Sequence, residues 1–341
     1  MPSQLRWGIL GTGNIAKQFA TGLNACRRGK SVAVGSRTAQ AAQEFAQAFG
    51  IPTAHGSYEE LIRDPQVDVV YISLPNSMHC QWTLSALEQG KHVLCEKPLA
   101  LDVGEARRMF DAAQSCGKVL MEAFMYRCQP QTTAVLEAVR GGTIGELQMI
   151  RTSFCYKARK IEGNVRFNRQ LGGGSLMDIG CYCTSFSRLL AGTEPLSINV
   201  VGRMHASGVD DMAAGTMMFP RGIVASFTCG MSVHADNTAH ICGSDGYIEI
   251  PIPWKPPAQE AQFIITRGIP PRMDDPKAIP APPPRDVRRV DGGGELYGTE
   301  ADDFAATILE GRPPRIGREE SLGNMAVLDE MRRQIGLKFS S

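Results

Sequence analysis

Between residues 5 and 122, short apolar runs alternate with amphipathic stretches. The runs at 5–10, 31–36, 67–74, 92–95 and 119–122 predict strands buried on both faces. Residues 14–28, 38–49, 78–89 and 102–116 carry apolar positions at the helical period and predict the intervening helices. Strand-helix alternation of this kind implies a parallel, doubly wound α/β sheet.

After about residue 123 the rhythm changes. Residues 130–140 read as a helix, 146–156 as a long strand, and 175–190 as a second helix with Gly192 just beyond its end. Strand-like segments follow at 198–205, 213–219, 223–231, 238–242 and 247–250. The turn Pro220-Arg221-Gly222 separates two of them as a hairpin would. Prolines crowd residues 251–284, which predicts an edge or loop excursion, because proline lacks a backbone donor. Helices at 299–310 and 319–335 close the chain. The expected division is a doubly wound domain over 1–124 and an α+β domain over 125–341, the latter built on a large open, mostly antiparallel sheet.

Composition narrows the function. With 43% hydrophobic and 21% charged residues, the chain has the make-up of a soluble globular protein. A net charge of +1 gives nucleic acid or an acidic membrane no general attraction. No apolar run approaches the ~20 residues of a membrane span, and the N-terminal residues carry no secretory pattern. The ten cysteines are scattered, and the close pair Cys181 and Cys183 lacks zinc spacing. His234 and His240 fall where neighbouring strands could bring them to one face, but the six histidines form no ligand cluster. Free thiols, no metal and a cytoplasmic location are therefore expected.

The first candidate chemistry lies between the first strand and first helix. Gly11-Thr12-Gly13-Asn14-Ile15-Ala16 matches G-x-G-x-x-A, the glycine fingerprint of a Rossmann dinucleotide site. Gly11 allows the turn, Gly13 admits the pyrophosphate, and the amides at Asn14 and Ile15 open the helix toward it. The second strand ends Val34-Gly35-Ser36-Arg37-Thr38, where NAD sites place an acid for the ribose 2′-hydroxyl. Here a hydroxyl and a guanidinium stand instead. They suit a 2′-phosphate and hence NADP.

The second lies in Lys91-His92-Val93-Leu94-Cys95-Glu96-Lys97-Pro98, a buried strand ending in a charge pair. Ligands bind at that end of such sheets. Lys97 is either a surface residue closing the strand or a cation aimed into an active site. The third is Gly172-Gly173-Gly174-Ser175-Leu176-Met177-Asp178-Ile179-Gly180-Cys181-Tyr182. Ser175 is a good N-cap type, and Asp178 and Tyr182, four apart, share a helix face. They suit proton transfer, or equally a first-turn acid and a packed aromatic.

Gly11-x-Gly13-x-x-Ala16, Glu96-Lys97-Pro98, Gly142-Thr143-Ile144-Gly145-Glu146-Leu147 and Gly173-Gly174-x-Leu176-x-Asp178-x-Gly180-x-Tyr182 occur in that order. Together they resemble the Gfo/Idh/MocA oxidoreductases over nearly the whole chain. Gly56-Ser57-Tyr58-Glu59-Glu60-Leu61 and Gly208-Val209-Asp210-Asp211 are most similar to its dihydrodiol and NADP-dependent aldose (xylose) dehydrogenase branch. The resemblance implies that Lys97 reaches the substrate oxygen, Tyr182 is the acid/base and Asp178 orients the substrate. It places Leu74, Pro75, Asn76, His79, Glu96 and Lys97 at the cofactor, with His79 equally readable as a helix-surface residue. Arg127, Phe154, Asn164, Arg166 and Trp254 become candidate substrate residues. Arg127 serves equally as an interdomain ion pair, and Phe154 as sheet core. A lysine beside Tyr182 is expected to lower its pKa from near 10. Met125 stands where the dihydrodiol branch has tryptophan, which favours a sugar or polyol over an aromatic diol.

The expectation is an NADP(H)-dependent oxidoreductase acting on an aldose, cyclic polyol or related sugar. The alternatives are a trans-dihydrodiol dehydrogenase, a sugar-sugar oxidoreductase that retains NADP, and a cofactor-binding regulator without turnover. The open sheet and the resemblance imply a homodimer or higher homo-oligomer.

Overall fold

The computed structural model describes residues 4–268 and 283–339. Its first layer is built from β1 (Leu5–Leu10), α1 (Asn14–Asn24), β2 (Gly29–Gly35), α2 (Ala39–Phe49), β3 (Thr53–His55), α3 (Tyr58–Arg63), β4 (Val69–Ile72), α4 (His79–Glu88), β5 (His92–Glu96), α5 (Val103–Ser115) and β6 (Leu120–Ala123). The six strands pair in parallel in the order β3-β2-β1-β4-β5-β6. This is the Rossmann order, and its strand order reverses beside β1, where ligands bind. The sequence pattern did not mark β3 or α3, which are too short for a period to register.

The second layer comprises α6 (Pro130–Arg140), β7 (Leu147–Cys155), α7 (Cys181–Ala191), β8 (Ser197–Met204), β9 (Asp210–Met218), β10 (Val224–Gly230), β11 (Ala239–Gly243), β12 (Gly246–Ile250), β13 (Ala261–Arg267), β14 (Arg285–Val290), α8 (Leu296–Glu310) and α9 (Arg318–Gln334). Its sheet runs β14-β13-β12-β11-β7-β10-β9-β8, antiparallel except where β10 meets β7. The Pro220–Gly222 turn joins β9 to β10 as expected, with Arg221 at φ 63°. The edge-or-loop expectation for 251–284 needs correction: β13 is an interior strand between β12 and β14. It occupies the proline-free part of that segment, so every donor is free to pair. Residues 269–282 lie outside the described residues.

One sheet face buries Ile150, Ala225, Phe227, Cys229, Ala213 and Met217 beneath α7 and α9. The other face leaves Met149, Val201 and Met218 exposed. Near the carboxyl end, α8 returns to the first layer. A Cβ on Gly22 would lie 2.6 Å from the Gly298 amide nitrogen, so paired glycines let α1 and α8 meet backbone to backbone. Trp7 on β1 packs on Phe19 of α1 and Phe304 of α8, with centroids 5.4 and 5.7 Å apart.

The expected helix over 175–190 opens differently from the sequence reading. Residues Leu176–Gly180 form a π turn, and only then does α7 begin. Ser175 is not the cap, because its own backbone is already helical at φ −68°, ψ −33°. Asp210 supplies the cap. Its Oδ2 accepts from the Leu176 amide at 2.8 Å and the Ser175 hydroxyl at 2.6 Å.

Candidate active site

A cleft of about 1280 Å³ separates the two layers. At one end stands the glycine turn. Gly11 has φ +106°, and a Cβ there would meet Ser73 Oγ at 2.9 Å, so the tight turn requires glycine. Gly13 has ordinary backbone angles, and a Cβ there would meet nothing within 4 Å. The space beside it is open to a ligand. Thr38, Ser57 and Asp102 cap α2, α3 and α5 with their side chains; α1, like α4 and α6–α9, has no side-chain cap. Its first amides therefore face the cleft without a protein partner, the arrangement that binds a phosphate.

Thr12, Ser36, Arg37 and Tyr58 line the same end. Ser36 is buried with its hydroxyl 3.4 Å from that of Thr12, and Arg37 is exposed. These residues fit a nicotinamide dinucleotide, with a hydroxyl and a guanidinium where the 2′-substituent of its adenine ribose would sit. Leu74, Pro75 and Asn76 also line the cleft. Asn76 Nδ2 donates to the Gly172 carbonyl at 2.8 Å, tying the loop after β4 to the glycine run of the second layer.

The other end holds the charges. Glu96, at the end of β5, accepts from the Tyr71 hydroxyl at 2.5 Å and the Lys97 amide at 3.2 Å. Burial pushes its carboxyl above the usual range, although Lys97 works against this. The Lys97-Pro98 bond is cis. Lys97 Nζ donates to the Asp178 carbonyl at 2.6 Å and to Asp178 Oδ1 at 3.1 Å. Asp178 Oδ2 accepts from the Tyr156 hydroxyl at 2.7 Å and from Arg166 Nε at 2.8 Å. Burial alone would raise the Asp178 pKa, but Lys97, Arg166 and the Tyr156 hydrogen bond outweigh it and hold the carboxyl below its ordinary value. Burial lowers the Lys97 pKa, and Asp178, Cys181 and Glu96 together more than reverse this, so the ammonium is secure.

Tyr182 stands inside an aromatic cage. Phe124 and Phe154 meet it edge-on at 5.2 Å, with Tyr126 at 5.8 Å and Trp254 at 5.9 Å. Phe154 and Trp254 lie nearly parallel, 9° apart in plane. Lys97 Nζ is 5.1 Å from the Tyr182 ring centroid, and the hydroxyl donates to Met125 Sδ at 3.3 Å. The expected lowering of the Tyr182 pKa is not found. Burial pushes it well above 10, and the charges of Glu96 and Asp178 add to the rise.

Two expected site residues lie elsewhere. His79 is fully buried, not on a helix surface and not on the cleft; its ring nitrogens meet the Pro98 carbonyl at 3.0 Å and the Leu74 carbonyl at 2.8 Å. It fastens the loops after β4 and β5 together. Arg127 is buried too, with Nη1 3.2 Å from Glu320 and 3.3 Å from Ser185 Oγ. It forms an ion pair within the second layer rather than the expected interdomain one, because Arg127 turns toward α7 and α9 and away from both the cleft and the first layer. Asn164 lines the cleft, but its side chain closes a local turn onto the Arg166 amide and the Lys160 carbonyl. Sequence reasoning missed Tyr156, Lys255, Gln18 and Tyr297, which also line the cleft. The aromatic at the end of the long strand was the one signal available for Tyr156.

Among the described residues, no three His, Cys, Asp or Glu side chains gather as a metal site, and no helix is long and apolar enough to cross a membrane. The ten cysteines are free thiols.

Residues 5–124 match the model of the "oxidoreductase family, NAD-binding Rossmann fold", and 132–249 match the "GFO/IDH/MocA C-terminal domain". A trans-1,2-dihydrobenzene-1,2-diol dehydrogenase from Mus musculus is 37% identical, covering 98% of each chain. The 3-ketoreductase KijD10 from Actinomadura kijaniata, solved with NADP and TDP-benzene, superposes with a TM-score of 0.86 at 29% identity, over 97% of this chain and 98% of its own. An aldose-aldose oxidoreductase from Caulobacter crescentus, complexed with glycerol, also gives 0.86, at 28% identity over 97% of both chains. With its parallel Rossmann layer, its open second sheet and a relative of this identity along its length, the chain belongs to the GFO/IDH/MocA oxidoreductase family.

Proposed function

We propose that the protein is an NADP(H)-dependent oxidoreductase interconverting a hydroxyl and a carbonyl of an aldose, cyclic polyol or related sugar. The observation that carries this reading is the Lys97–Asp178 pair, set across one cleft from the uncapped end of α1 and Arg37. Bound NADP(H) would accept or supply the hydride. Lys97 would donate to the substrate oxygen and stabilise the negative charge that develops there. Asp178 keeps that ammonium in place and charged. Tyr182, protonated at neutral pH, would serve as the proton donor to a carbonyl once substrate draws its hydroxyl from Met125. Phe154 and Trp254 offer a flat apolar wall to the carbon face of a sugar ring, while Arg166 and Tyr156 offer polar contacts to its hydroxyls.

The test is a substrate panel of aldoses, cyclic polyols and trans-dihydrodiols followed by NADPH fluorescence. Turnover should appear with sugars or polyols and NADP⁺. Arg37→Ala should weaken NADPH about 10-fold or more while leaving NADH unchanged. Turnover confined to NAD⁺, or none on any sugar or polyol, refutes the reading. The aromatic cage around Tyr182 favours a second reading, oxidation of trans-dihydrodiols, the activity in the name of the Mus musculus relative. The same panel separates the two.

We also infer a homodimer, closed by a second copy over the open sheet face that exposes Met149, Val201 and Met218. Light scattering should give twice the chain mass, and a monomer at working concentration counts against it.

A further inference from the structure

Residues Pro251–Pro257 form a strap from the second layer along the cleft. Prolines at 251, 253, 256 and 257 stiffen it. Trp254 anchors it, donating Nε1 to the Ser153 carbonyl at 2.8 Å, and Gln131 Nε2 holds the Ile252 carbonyl at 3.0 Å. Just beyond these two anchors, the exposed Lys255 lines the cleft and its ammonium reaches Gln18 Oε1 at 3.3 Å. Gln18 lies one turn along α1 from the uncapped amides, and the Tyr297 hydroxyl meets the same oxygen at 3.4 Å. Among the described residues no carboxylate stands at ion-pair distance from Lys255. Glu96 and Asp178 act on it only from a distance, and the charge of Lys97 works to lower its pKa. A lysine on a stiff strap thus faces the positive end of a helix, with only a neutral amide between them. Two positive groups face one gap, and an anion between them relieves the repulsion.

We infer that Lys255 is a cofactor-binding residue that reaches from the second layer to the pyrophosphate of the dinucleotide seated on α1. The inference rests on the dinucleotide reading proposed above. It makes the cofactor site a two-sided clamp, with α1 beneath the pyrophosphate and the strap above, so release of the nucleotide requires breaking a contact to each layer.

Fragments of the cofactor test it without turnover. Wild type, Lys255→Met and Lys255→Arg are titrated with NADPH, 2′-phospho-ADP-ribose and adenosine 2′-monophosphate, which has no pyrophosphate. Lys255→Met should bind the first two about 10-fold more weakly, the scale of one charged hydrogen bond. Its affinity for adenosine 2′-monophosphate should not change. Lys255→Arg should restore most of the loss, and the salt dependence of NADPH binding should be shallower in the methionine variant. Equal affinities of wild type and Lys255→Met for all three ligands overturn the inference, as does an equal loss for adenosine 2′-monophosphate. Wild-type protein that binds none of the three overturns the dinucleotide reading itself, a distinguishable result.

Discussion

Replacing Glu122 with glutamine should stabilise the protein at alkaline pH and leave it unchanged in mild acid. Glu122 lies next to the last residue of β6, with no exposure to solvent. Its Oε1 accepts from the Leu99 amide at 2.9 Å and its Oε2 from the Ser321 hydroxyl at 2.7 Å, so it ties the Lys97-Pro98 loop to α9. Burial pushes its carboxyl from 4.5 up to about 7, against the pull of Ser321, Leu99, Arg188 and Arg127. Because the folded value lies above the unfolded one, the carboxyl costs nothing below pH 4.5, where it is neutral in both states. Between 4.5 and about 7 the unfolded chain ionises first and stability falls; above 7 the whole loss is present. At roughly 1.4 kcal/mol per pH unit, that loss is about 3 kcal/mol. Glutamine stays neutral, keeps an acceptor for Leu99 and can donate to the Ser321 oxygen. Urea unfolding at pH 4 and pH 8 measures the effect. The variant should match wild type at pH 4 and unfold at higher urea at pH 8. Parallel pH dependences, or a variant weaker at pH 8, would refute the burial argument.

Gly13→Ala should leave the melting temperature unchanged, because the added Cβ meets no protein atom, yet weaken NADPH at least ~10-fold by filling the pyrophosphate's space. Unaltered binding would place the nucleotide elsewhere. Tyr156→Phe removes one of the donors that keep Asp178 ionised. With Lys97 and Arg166 still beside it the carboxylate stays ionised, so kcat at pH 7 should fall by no more than about 10-fold, the worth of one charged hydrogen bond. A loss of ~10²-fold or more would mean that the Tyr156 hydroxyl itself takes part in the reaction.

What the sequence revealed and what it hid divide along physical lines. The buried strands of the first layer, the glycine turn and the acid-free end of β2 are local patterns, and each was legible. The meeting of Lys97 with Asp178 was legible only through the ordered motifs, since 81 residues separate them. Other features depend on contacts that no local period encodes. Asp210 took the capping role that Ser175 seemed made for, because the π turn drew Ser175 into the helix. His79 and Arg127 turned inward to bind carbonyls and a carboxylate across other elements. Lys255 sat unread in a proline-rich stretch whose stiffness, rather than any motif, directs it at the cleft.

In the proposed reaction Lys97, fixed by Asp178, promotes hydride exchange between substrate and a nicotinamide held on α1. Single-turnover oxidation of bound NADPH by the best substrate of the panel tests it most directly, comparing wild type with Lys97→Ala after each is shown to bind NADPH. The alanine variant should keep NADPH affinity within a few-fold of wild type and transfer hydride at least ~10²-fold more slowly. An undiminished rate in the alanine variant would contradict it.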